Sequence, residues 1–400
     1  MRTYRELFGA PEFAPLFATV SLQMAAKTVS GLAVGTLVYA ATDSPLLAAL
    51  SMFGSSFGQV IGAVTLLSAA DRLPPRATLA GLAVAFAAGT ALLALPGLPV
   101  GALLAVILVL GLGASVGGGV RYGLLGEILP PQGYLLGRSV LNMSVGAMQI
   151  CGFAAGALVM AVLSPRGTLL AGAGLYLAAA VVARAGLRAR PPRATGRPSV
   201  AATWRANRLL WSSRLRRHVF LALWVPNGLI VGCEALFVPY AAGQAGLLFA
   251  AAAAGMLAGD TVLGRFVPPH RRPRLGVPLL LLLAGPYLIF AFGPAPGLAA
   301  ALAALASMGF AASLVLQERL LALTPGEAHG QALGLHSSGQ MGMQAVAATL
   351  AGTVAQFTSA RAAIVVMAAA SAAVTLLLVP GLRSAATRPA GPPVPARPGG

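Results

Sequence analysis

Only 9% of this 400-residue chain is Asp, Glu, Lys or Arg, so charged and titratable side chains inside its long apolar runs are the first candidates for chemistry. Lys27 is near the middle of the run that follows MRTYRELFGAPEF, on one helical stripe with Thr19, Gln23 and Ser30. Glu234 lies in a later run and shares a helical face with Asn227. An ammonium and a carboxyl in such surroundings persist only when paired or turned to water. They are read as groups that bind an ionised substrate or exchange a proton; the alternative is a buried pair that only fixes helix packing. Asp260, five residues before Arg265, is read first as a local structural partner and second as a coupling group. His336 is a proton-relay candidate by chemistry alone. Three polar stripes, Ser51, Ser55 and Gln59, then Ser139, Asn142 and Gln149, then His336, Gln340 and Gln344, either line a solute path or glue helices together.

The elements that hold these residues must be membrane helices. Hydrophobic residues make up 58% of the chain and its mean hydropathy is +0.83, which a water-soluble domain could not keep in solution. A span needs about 20 mainly apolar residues, and such runs recur from near residue 14 to near residue 381. The expected spans are 14–40, 46–70, 77–95, 100–122, 139–163 and 168–187, then 219–241, 245–267, 275–293, 298–322, 332–357 and 361–381. The fold class is therefore all-α and integral to the membrane, with about twelve helices. The first run lacks a small-residue cleavage site and is read as a retained helix. Cys151 and Cys233 both fall in apolar runs and are read as packing residues.

A formal net charge of +18 could suggest nucleic-acid binding, but the positions argue for topology. With the head on the cytoplasmic side, 24 of the 27 basic residues fall on that side, the exceptions being Arg166 and Arg361 outside and Lys27 within a span. This positive-inside bias places both termini in the cytoplasm of an inner or plasma membrane. The expected organisation is a head (1–13), a six-helix bundle (14–187), a basic linker (188–218), a second bundle (219–381) and a disordered tail (382–400). Within the linker, Trp204, Trp211 and Leu215 recur at helical spacing, which fits either a short helix on the inner leaflet or a solvated basic segment.

The two halves repeat each other. ADRLPPRATLAGL after span two is answered by GRFVPPHRRPRLGV after span eight, at an offset of about 194 residues, and LGEILPPQGYLLGRSVLNMSVGAMQ by RLLALTPGEAHGQALGLHSSGQMGMQ at a similar offset. With twelve helices, a basic central connection and a charged loop between spans two and three, the chain resembles the major facilitator superfamily. That family's loop signature is a glycine, three further residues and then Asp-Arg; here LSAADRLPPR supplies Asp71, Arg72 and Arg76, with Leu67 at the glycine position. Family antiporters often carry a Gly-Pro pair and a further glycine in span five; Gly152 and Gly156 match, and Phe153 replaces the proline. The arginine that many proton-coupled exporters carry early in span four has no counterpart in VGALLAVILVLGLG.

The resemblance implies a secondary transporter of two pseudo-symmetric bundles. The reading is proton-coupled efflux of an amphipathic small molecule, with an uptake transporter or a non-transporting sensor or scaffold on the same fold as alternatives. Candidate substrate and coupling residues are Lys27, Gln23, Glu234, Asn227, Asp260, Asn142, Gln149, His336 and Gln340. A cytoplasmic gate is expected from Asp71, Arg72, Arg76 and Glu127, answered in the second half by Arg265 and Glu318, with ionic contacts that favour the outward-open state. No phosphate-cradling GxxxxGK loop is present, and nine scattered acidic residues do not form an enzyme's surface cluster. No metal or cofactor is expected; the partners are a small solute, protons and lipid, and the chain is expected to act as a monomer.

Overall fold

Proline and glycine punctuate this chain, and the helices of the computed structural model break where they fall. The structure describes residues 4–65, 72–192, 208–268, 270–325 and 329–386. A short α1 (Tyr4–Phe8) leads into α2 (Phe13–Thr42). Ser44 then caps α3 (Pro45–Phe53), accepting the Leu47 amide. A bend of 42° separates α3 from α4 (Ser55–Thr65), and the pair makes one broken span. Next come α5 (Pro75–Leu93), α6 (Val100–Ile128) and α7 (Pro131–Gly186). The last is two spans in one: Ser164, at φ 66 and ψ 167, breaks it just before Pro165, because a residue preceding proline is driven out of the helical region.

After a short α8 (208–212), the second half comprises α9 (Arg214–Glu234), α10 (Phe237–Tyr240), α11 (Ala245–Thr261) and a π-helical segment, Val262–Phe266. It continues with α12 (Arg272–Leu288), α13 (Pro296–Ser307), α14 (Ala312–Ala322), α15 (His329–Phe357) and α16 (Ala360–Ala386). Among the described residues nine helices are long and apolar enough to cross a membrane, ten with the bent pair. Helix α15 is long enough but falls outside that set; it is the one loaded with His336, Gln340 and Gln344. Side chains such as Leu158, Val162, Phe292, Phe357 and Leu377 point outward and exposed, as a protein solvated by lipid requires. The chain is a multi-pass membrane protein.

One end of the molecule, here the basic end, carries Arg72, Arg76, Arg188, Arg190 and Arg271–Arg274; the opposite end is the far end. The N half (α2–α7) and C half (α9–α16) meet at the far end. Ser44 donates to Gln356 at 2.7 Å, and Phe153 stacks on Phe249 with ring centroids 4.5 Å apart. Gly352 lies against Leu46 and Gly246 against Ala157 so closely that any larger side chain would collide with the other half. Among the described residues no hydrogen bond, ion pair or buried cluster joins the halves at the basic end. The cluster there around Leu16, Val20, Leu124 and Leu141 belongs wholly to the N half, and that of Leu263, Ala311 and Val315 to the C half. The bonded and buried contacts between the halves are thus concentrated at the far end, with a further approach of Gly342 to Val60 along α15 and α4.

The two cores differ. One large cluster, with Phe220, Phe237, Tyr287 and Phe290 fully buried, runs through the C half and takes in Leu32 of the N half. The N half's buried residues divide among several smaller clusters. Of the cysteines, Cys233 is buried as expected, whereas Cys151 is exposed.

Candidate functional site

Which residues line the boundary between the halves is fixed by which stripe of each helix reaches across the seam. On α11, Gly246 and Phe249 touch the N half, and Asp260 lies on their stripe, since 14 residues is close to four helical turns. Asp260 is exposed and has no ion-pair partner among the described residues. On α7, Phe153 and Ala157 touch the C half, and Gln149 follows them one turn toward the basic end, partly exposed. Asn142 lies in the same helix; its side chain is outside the described ones. On the C-half side, Gln340 of α15 donates to Asn227 of α9 at 3.3 Å, so these two candidates do come together.

Lys27 and Glu234 do not. Lys27 is exposed at mid-helix, with no hydrogen bond or carboxylate partner among the described residues, and Gln23 one turn away is partly exposed. Val20, seven residues before Lys27 and on nearly the same face, packs with Val116, Val120 and Leu124 of α6. Lys27 is thus turned toward the gap between α2 and α6, the helix that carries Arg121. Glu234 is buried at the end of α9, and its Oε1 finds no hydrogen-bond partner among the described residues. His336 is likewise buried with its Nδ1 unpartnered. Such groups are costly to leave unsatisfied, and they cluster in the C half.

At the basic end the charged loops pair within each half. Arg272, entering α12, holds Glu318 at 3.5 Å and also donates to the carbonyls of Val267 and Gly264. Arg265 is exposed and makes no ion pair among the described residues. In the N half, Glu127 pairs with Arg190 at 3.3 Å, and Arg76 donates to the Leu187 carbonyl at 3.5 Å. Arg72 is partly exposed, and Asp71 lies outside the described residues. Arg190 also grips Glu12 with bonds of 2.6 and 2.7 Å, and the Arg188 amide adds a third at 2.9 Å. These bonds, Arg190 foremost, hold the Glu12 carboxyl below the ordinary carboxylate range against the opposing effect of burial.

Sequence reasoning missed Arg121 and Arg138. Arg121 lies inside the expected fourth span, but its basic type assigned it to the cytoplasmic connection; α6 runs on to Ile128. Its guanidinium sits over the Tyr122 ring at 4.7 Å, and Arg138 of α7 sits over the same ring at 5.2 Å. The signal available was position: both arginines stand about two turns inside a helical stretch.

Two repeated helical bundles that meet along a common seam are an architecture that membrane transporters use. The sequence matches the family model of the Major Facilitator Superfamily over residues 16–244, more than half of its length, and the chain belongs to that superfamily. Its members are membrane transporters and not enzymes. Among solved structures, the fold is similar to that of a bacterial homologue of the human lysosomal transporter Spinster in an inward-facing, unoccupied conformation. That pair shares 13% identity with a TM-score of 0.71, covering 96% of this chain and 97% of that one. It is also similar to a POT family transporter in complex with 5-aminolevulinic acid, at 12% identity and a TM-score of 0.74, covering 94% and 96% of the two chains. The nucleoside transporter NupG, solved as a single-residue mutant, gives 12% and 0.74, covering 92% and 99%. At these identities the likeness is one of fold. No curated protein matches the sequence.

Proposed function

We propose that this protein is a proton-coupled secondary transporter of the plasma (inner) membrane, acting as a monomer, that exports an amphipathic small molecule by alternating access, with Glu234 as the exchanging carboxyl. The basic end faces the cytoplasm in this reading, on the strength of 24 of 27 basic residues, and the halves, bonded at the far end, part toward it as an inward-facing crevice. The observation that carries the coupling role is Glu234 itself: buried at membrane depth with an unpartnered oxygen. A carboxylate left charged there has nothing to compensate it. Loss of its proton must accompany a change of state that brings it water or a partner. The seam beside it, where Ala49 packs on Ala235 and Ala348, is the contact that alternating access would open.

The test is Glu234→Gln in proteoliposomes, screened first with a panel of labelled amphipathic compounds. Gln keeps the shape and loses the titration. Accumulation driven by an imposed proton gradient should disappear, while gradient-free exchange of the same compound persists. Gradient-driven accumulation equal to wild type removes Glu234 from the coupling role and makes Asp260 or His336 the next candidate.

A further inference from the structure

We infer that the transported solute is an anion, its carboxylate or phosphate held by Lys27, Arg121 and Arg138 in the N-half wall of the crevice. This rests on the transporter reading above and adds the substrate class. Arg121 of α6 and Arg138 of α7 converge on the Tyr122 ring, and the face of α2 that carries Lys27 packs toward α6 through Val20. Arg121 precedes the end of α6 by seven residues and Arg138 follows the start of α7 by seven, each about 10 Å from the basic end at about 1.5 Å per residue; Lys27, fourteen residues into α2, is about 21 Å deep. Together they form a ladder from the crevice mouth toward the midplane.

None of the three has a carboxylate within ion-pair distance among the described residues, in contrast to Arg190 and Arg272 at the basic end, which do. Arg121 Nε is buried without a hydrogen-bond partner among the described residues, and Lys27 on the facing helix carries the same sign of charge. Both guanidinium groups lie over Tyr122, which orders them, and among the described residues no hydrogen bond takes up their N–H donors. Space for an occupant is present: a side chain added at Gly118, one turn before Tyr122, would meet nothing within 4 Å. Like charges facing each other at membrane depth are costly; one bound anion would neutralise them and use the free guanidinium fork. The apolar helix faces around the site suit a solute whose anionic group is attached to an apolar body.

The test is equilibrium binding in uncharged detergent, read as the melting temperature of the purified chain. The probes are benzoate, phenyl phosphate, neutral benzamide and cationic benzylamine at equal millimolar concentration, with micellar phosphatidylglycerol as a separate arm. Benzoate or phenyl phosphate should raise the melting temperature, and which does so assigns carboxylate or phosphate; benzamide and benzylamine should not. Lys27→Gln and Arg121→Gln should each weaken that affinity several-fold, their combination should remove it, and Lys27→Arg should retain it. The inference is overturned if neither anion stabilises, if benzylamine or benzamide does so equally, or if the double variant responds as wild type. A response to phosphatidylglycerol alone would make the occupant a lipid headgroup and overturn it too. Because no gradient is imposed, this measurement is independent of proton coupling, so either conclusion can fail alone.

Discussion

Arg190 reaches back across the basic end and grips Glu12, one hundred and seventy-eight residues away in sequence, with both terminal nitrogens. The clasp closes the N half on itself, joining the entry to α2, the exit of α7 and, through Glu127, the end of α6. Glu12 is nearly buried, so removing it strands a guanidinium with half its partners gone. Glu12→Ala should lower stability by about 2 kcal/mol, measured as a drop in melting temperature at neutral pH.

The same clasp sets a pH dependence. The Glu12 carboxyl titrates lower in the folded protein than in the unfolded chain, so its contribution is fully present above the ordinary carboxylate range and is lost as pH falls through the lower, folded value. The difference in melting temperature between wild type and Glu12→Gln should therefore be constant near neutrality and shrink under acid conditions. A difference that widens on acidification would show that another group controls this end.

At the far end, Gly352 and Gly246 allow the halves to touch. Gly352→Val should wedge the seam apart, because its side chain would meet the Leu46 backbone. With Ala49→Cys as reporter in a Cys151→Ser background, a thiol buried between the halves should react slowly with a bulky maleimide in the parent and markedly faster in the Gly352→Val variant, while solute accumulation falls. Equal labelling rates would mean that the seam tolerates the extra volume without moving.

The Arg272 and Glu318 pair should prove unequal. Glu318 is exposed, and an exposed ion pair contributes at most about 1 kcal/mol. Arg272 also satisfies the carbonyls of Gly264 and Val267, at and just after the π-helical turn. Glu318→Ala should leave the melting temperature nearly unchanged, and Arg272→Ala should lower it clearly. Equal small effects would reduce Arg272 to a surface charge.

Much of this architecture was legible because the membrane imposes simple rules. Apolar runs of the right length, stopped by residues such as Pro99 and Pro165, mark helices, and the repeated loops around Arg72 and Arg265 show the two halves. Contacts between helices were not legible. Lys27 and Glu234 occupy equivalent spans, which suggested a pair across the crevice, yet helix rotation turns Lys27 toward α6 and Arg121 while Glu234 is buried in the C half. Likewise Glu127 and Arg76 are adjacent in the loop pattern, but Arg190, from beyond the sixth span, takes Glu127. The depth of Arg121 was hidden for a related reason: residue type was read as location, and α6 extends six residues past the expected end of its span.

The unequal cores bear on how the chain is made. Leu32 is buried in the cluster that fills the C half, and Phe153 and Ala157 lie against Phe249 and Gly246. The ribosome delivers the N half first, when none of these partners has yet been synthesised. That half must therefore wait in the bilayer with an unfinished seam and a core in pieces, and it completes its packing only when the later helices arrive. A polypeptide released early, after α7, would carry a ready-made adhesive strip along α2 and α7, the kind of surface that quality-control proteases recognise.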